Sequence, residues 1–176
     1  MPTSESGGVV VRDADPEDAG AVSDVRIRSW QGAYAHVFPA ERLAALDERR
    51  EQQARHWRAM IEEPPLPGHM LLAERGGDAI GFASIGRARD DATAGEVYAI
   101  YVVPEAWGTG AGHALMQESV RRLRDDGYRD AVLWVLDDNP RARAFYEREG
   151  WSLTDDARED TFLQTSVSEV RYRIGL

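Results

Sequence analysis

The sequence predicts one α+β (mixed α/β) domain, a twisted and mostly antiparallel sheet flanked by helices. Three observations support this. Capped helical patterns dominate the N-terminal third of the chain. β-Branched and aromatic runs separated by glycine turns fill the middle. One strand–glycine loop–helix unit, Tyr101–Met116, lies between them. The 176 residues are enough to bury a core, and the expected domain is 1–176, with 1–7 flexible.

Val9–Arg12 is a short strand-like run. Asp15 before Pro16 and Glu17 starts a helix: a capping carboxylate, a proline in the first turn and acids near the positive dipole end. This helix runs through Val22, Val25, Ile27 and Trp30 to about Tyr34. "FPAERLAAL" begins another turn or helix, and Glu48–Ile61 is a third, ended by "EEPPLPG". "HMLLAE" and "AIGFASIGRA" form a hairpin about Gly76, Gly77 and Asp78. "EVYAIYVV" is apolar on both faces and hence central; Pro104 stops it. From Gly110 to Asp126 the pattern is helical, with Leu115, Met116, Ser119, Val120 and Leu123 inward. "DAVLWVL" is a buried strand. "NPRARAFYEREG" is a short helix capped by Asn139 and ended by Gly150. "TSVSEVRYRIGL" alternates as the last strand.

Composition excludes several classes of function. There is no cysteine, so disulfides, thiolate metal sites and thiol nucleophiles are ruled out. All 21 basic residues are arginine, which removes a Schiff-base lysine and the P-loop lysine. His36, His56, His69 and His113 show no metal-ligand spacing, so no metal is expected. A net charge of −10 argues against a nucleic-acid backbone as partner. The polar "MPTSESGG" lacks the apolar stretch of a signal peptide, and no run is long enough to span a membrane. No membrane association is expected, and the expected location is the cytoplasm.

"WGTGAGH" places Gly108, Gly110 and Gly112 between a buried strand and a helix N-terminus. Such a loop can present several N–H groups to phosphate oxygens. It can equally be a tight strand–helix turn. The Walker pattern fails on it, and so does G-x-G-x-x-G, whose third glycine position is Leu115.

Here the chain resembles the GNAT superfamily of acetyl-CoA-dependent N-acetyltransferases. The family signature Q/R-x-x-G-x-G/A reads Trp107-Gly108-Thr109-Gly110-Ala111-Gly112, with Trp107 in place of Gln/Arg. A second element, N-x-x-A-x-x-F-Y-E-x-x-G-F/W, matches "NPRARAFYEREGW", Asn139–Trp151. "SWQGAYAHVFPAERLAAL" and "SEVRYRI" extend the likeness to most of the chain. The resemblance implies a GNAT-like sheet splayed in the middle, with the pantetheine arm in the split. Backbone groups of Ile100, Tyr101 and Val102 would meet that arm. Gly108, Thr109, Gly110, Ala111, Gly112 and His113 would hold the pyrophosphate. Asn139 would lie beside the arm, and Tyr146 would point its hydroxyl at the sulfur.

The implied activity moves acetyl from acetyl-CoA to a primary amine of a small molecule or peptide by direct attack. The amine must lose a proton to a base, and the leaving thiolate benefits from an acid. Tyr146 is the candidate acid; its other reading is an aromatic packed beside Phe145. Glu96 is the candidate base, placed by alternation on one face with Tyr98, Ile100 and Val102. Its other reading is a solvated strand-end carboxylate. Tyr34, Tyr98 and Asp137 are acceptor-side candidates. Trp30 is expected to pack, and Trp57 and Trp134 to be core. A homodimer is compatible with the resemblance. Two alternatives stand: a non-catalytic acyl-CoA-binding or regulatory module on the same fold, and a nucleotide-binding protein.

Overall fold

The computed structural model describes residues 7–176; most of the segment expected to be flexible lies outside them. β1 (Val10–Asp13) leads to a single 3-10 turn, Pro16–Asp18, and then α1 (Ala19–Ala33). Asp15 accepts from the Glu17 N–H at 3.0 Å, and Asp18 accepts from the Asp15 N–H at 2.9 Å. This reciprocal cap fixes the helix entry, although the first turn is 3-10 rather than α. α2 (Ala40–Glu48) and α3 (Arg50–Glu62) follow. Next come β2 (Gly68–Arg75), β3 (Asp78–Arg87), β4 (Gly95–Val102), α4 (Ala111–Asp125), β5 (Asp130–Leu136), α5 (Pro140–Arg148), β6 (Ser152–Phe162) and β7 (Thr165–Gly175).

The seven strands form one sheet in the order β1-β2-β3-β4-β5-β7-β6. Every neighbouring pair is antiparallel except β4–β5. α4 lies on one face, where Leu115, Met116 and Leu123 pack with Leu71, Val97 and Leu133. On the other face, Val22, Val25 and Trp57 pack with Leu72 and Phe82, and α2 closes over Trp30 and Phe38 through Leu43 and Leu46. Each such buried apolar side chain contributes about 1.5–3 kcal/mol.

One strand had no sequence signal. β6, "SLTDDAREDTF", is charged and largely exposed. It is the sheet's edge, where charge discourages pairing with another chain; its apolar content is too low to read as a strand. β2 and β3 approach closely where Gly68 faces Gly86. A Cβ on Gly68 would sit 2.1 Å from the Ile85 carbonyl oxygen.

Two irregularities set up the site. β4 and β5 pair only at Gly95–Ala131, Glu96–Val132 and Val97–Leu133. Beyond Val97 the two strands part, while β4 stays bonded to β3 and β5 to β7. A bulge accompanies the split: Ile85 pairs with Val97 but Ser84 with Ala99, leaving Tyr98 as the extra residue.

Candidate active site

The bulge overturns the expected alternation along β4. Val97, Ile100 and Val102 all face the α4 side, whereas Ala99 and Tyr101 face α1 and α3. Glu96, next to Val97, therefore points to the face opposite Ile100 and Val102. Nor is it solvated: Glu96 is 1% exposed. Its carboxylate accepts from the Arg89 backbone N–H at 2.9 Å, from Arg89 Nε at 3.0 Å and from Arg89 Nη2. Bound through both oxygens, Glu96 is an internal counter-charge for Arg89, and the Glu96 hydrogen bond raises the Arg89 pKa.

Two cavities meet at the split. One, of about 250 Å³, lies under the C-terminal half of α1 and is floored by β4, β5, β6 and β7. The other, of about 310 Å³, lies between the glycine loop and α5. Ile100, Val102, Arg141, Ala142 and Tyr146 line both.

The second cavity contains the glycine loop. Gly108 and Gly110 have φ of 71° and 90°, a left-handed backbone that strains any side chain. Gly110 precedes α4, and no side chain caps that helix, leaving its first-turn N–H groups free to meet an anion. Gly112 packs its Cα side on Phe145, where an added Cβ would lie 3.4 Å from the ring. Arg75, without a signal in the sequence, braces the loop through Thr109 Oγ1 at 2.9 Å. His113 lines the cavity, but its Nδ1 contacts the Glu149 carboxylate at 2.9 Å. This arrangement suits the diphosphate and pantetheine of coenzyme A: positive-φ glycines, an uncapped helix start and an open strand edge.

Val102 differs from expectation. Its carbonyl already accepts from Ser29 Oγ at 2.9 Å and Trp107 Nε1 at 2.7 Å, so that atom is not open to a cofactor arm; Tyr101, next to it and paired with Phe82, turns its backbone groups towards β3. Asn139 caps α5 through the Ala142 N–H at 3.1 Å, and its amide reaches the Tyr34 hydroxyl at 3.4 Å. Tyr146 is 8% exposed and lies where the cavities join. Burial raises its pKa and that of Tyr34, so both phenols are protonated through the neutral range. Tyr98 donates to the Arg87 carbonyl, and its pKa is pushed up to about 12 by burial and then by Glu96.

Other expectations are corrected. Asp137 pairs with Arg143 at the surface and lines neither cavity, so it is not placed to hold an amine. Trp134 is not core: it floors the first cavity beneath Arg158, whose guanidinium carbon is 4.3 Å from the ring centroid. Trp30 does pack, stacking on Phe38 with centroids 5.6 Å apart, and also lines that cavity. Glu169 was not among the candidates. It is 5% exposed, lines the first cavity and accepts from Arg158 Nε at 2.7 Å through Oε2. Among the described residues, Oε1 has no partner. In the sequence Glu169 is one acid in an alternating tail; its position depends on β7 lying beside β5.

A sheet that parts beside a glycine loop and a buried tyrosine defines an acyl-CoA acyltransferase class of fold. Residues 27–151 match the family described as Acetyltransferase (GNAT) family, and the chain belongs to it. It is 31% identical over 134 residues to the uncharacterized N-acetyltransferase YuaI of Bacillus subtilis, covering 75% of this chain and 74% of that one. It is 31% identical to the mycothiol acetyltransferase of Parafrankia sp., covering 80% of this chain and 51% of the relative; the chain thus spans about half of that protein. In fold it is similar to the PaiA N-acetyltransferase of Thermoplasma acidophilum, solved in complex with coenzyme A. The TM-score is 0.76 at 20% identity, covering 96% of this chain and 99% of that one. Among the described residues, no helix is long and apolar enough to cross a membrane, and no group of three or more acids and histidines could hold a metal.

Proposed function

We propose that this chain transfers the acetyl group of acetyl-CoA to a primary amine of a small molecule or peptide, by direct attack and in the cytoplasm. The observation that carries this reading is the junction of the two cavities, with Tyr146 and Ile100 lining both. Acetyl-CoA supplies the activated acyl group. The first-turn N–H groups of α4 and the backbone of Gly108–His113 hold the diphosphate. Backbone groups of Ile100 and the Val102 N–H, on the open edge of β4, meet the pantetheine arm.

The acceptor enters the α1-side cavity over Trp134. Glu169 Oε1 takes the proton that the amine must lose, while Arg158 holds the carboxylate in place through Oε2. Tyr146, kept protonated by burial, gives its proton to the departing sulfur. Glu96 is assigned no proton transfer; it holds Arg89 at the cavity wall. The test is amine-dependent release of free thiol from acetyl-CoA across a panel of amines. Coenzyme A binding without amine-dependent thiol release would favour a non-catalytic module and overturn the proposal.

A further inference from the structure

Trp107 stands where the family signature has Gln or Arg, so the loop lacks the polar side chain that position normally carries. The structure places another one against it. The Arg141 guanidinium carbon lies 3.4 Å from the Trp107 ring centroid, a cation–π stack. The ring itself is fixed: Nε1 donates to the Val102 carbonyl, and its far edge faces Gly32. Trp107 therefore acts as a rigid platform at the start of the glycine loop.

Arg141 has neither a carboxylate partner nor a hydrogen bond among the described residues. Burial against its neighbours lowers its pKa, a cost that a bound anion would offset. In a chain of net charge −10, the cavity beside the glycine loop is lined by two arginines, Arg141 and Arg148, against one acid, Glu149.

We infer that Arg141, held on the face of Trp107, supplies the cationic contact to the diphosphate of coenzyme A that the signature's Gln/Arg would otherwise make. The cation comes from α5, across the split, instead of from the loop. A stacked guanidinium keeps its N–H edge free, so it can bind an anion without leaving the ring. The inference rests on the acetyl-CoA reading above.

The test is calorimetric binding of three ligands to wild type, Arg141→Gln, Arg141→Lys and Trp107→Phe. The ligands are coenzyme A, 3′-dephospho-coenzyme A and pantetheine, with thermal melts to verify folding. Arg141→Gln should weaken coenzyme A and its dephospho form equally, by about 10- to 100-fold, the worth of one charge-assisted hydrogen bond. Pantetheine, which has no diphosphate, should bind wild type and variant alike. Arg141→Lys should recover part of the loss, and Trp107→Phe, which keeps the aromatic face, should lose less than Arg141→Gln. Unchanged coenzyme A affinity in Arg141→Gln would overturn the inference. So would an equal loss for pantetheine, which would place Arg141 on the arm or thioester, and so would a loss absent with the dephospho form, which would place it on the 3′-phosphate. Wild type failing to bind coenzyme A at all would instead overturn the acetyl-CoA reading.

Discussion

Glu96 and Glu169 are both buried carboxylates bound by arginine, and we assign them opposite roles. Replacing each by glutamine separates stability from catalysis. In Glu96→Gln, Arg89 loses a 1%-exposed counter-charge that accepts three of its donors. Breaking a buried pair costs about 3–5 kcal/mol. The Arg89 side chain is 52% exposed, so water recovers part of this and the expected cost is about 2–3 kcal/mol. For a chain of this size, that lowers Tm by about 4–12 °C, while kcat of the folded enzyme stays within a few-fold of wild type. In Glu169→Gln the amide oxygen can still accept from Arg158, so the melt should shift by less than about 4 °C. Loss of the proton acceptor should lower kcat by about 10²–10⁴. Thermal melts and initial-rate thiol release on the same preparations measure both quantities. The reverse pattern, with Glu96→Gln folded but inactive and Glu169→Gln active, would refute the assignment.

Three further outcomes follow from the geometry. Tyr146→Phe should lower kcat by about 10²-fold with little change in acetyl-CoA affinity; unchanged turnover would remove its acid role. Gly68→Ala should destabilise the fold by more than about 2 kcal/mol, because the added methyl meets the backbone oxygen of Ile85 at 2.1 Å; a wild-type denaturant midpoint would contradict that close approach. The hydrogen bond from Arg121, and then that from Arg122, lowers the Glu118 pKa from its ordinary 4.5 to about 2. A depressed folded pKa adds stability above pH 4.5 that is lost as pH falls towards 2. Glu118→Gln should therefore flatten the acid limb of the stability curve in that window and nowhere else.

Much of the fold was legible because local chemistry and tertiary packing agree. Asp15, Pro16 and Asn139 cap where their side chains dictate. Gly76 and Gly77 turn at φ of 62° and 89°, and the α4 stripe buries Leu115, Met116, Ser119 and Leu123. The glycine loop and the Asn139–Trp151 element were readable for the same reason: their chemistry is local in sequence. β6 was not, since a charged edge strand is held by its partner β7 rather than by its own apolar content. Glu96 was misplaced because period-two alternation holds only for a regular strand, and the extra residue at Tyr98 reverses the faces beyond it.

The sequence by itself determined most of the elements, their caps and turns, and the glycine loop before α4, because each depends on residues a few positions apart. Only the tertiary structure decided that Glu169 lines a cavity, that Trp134 floors it, and that Arg141 rests on Trp107. Those facts depend on β4 parting from β5 and on β7 lying beside β5, contacts between segments far apart in the chain that no local pattern encodes.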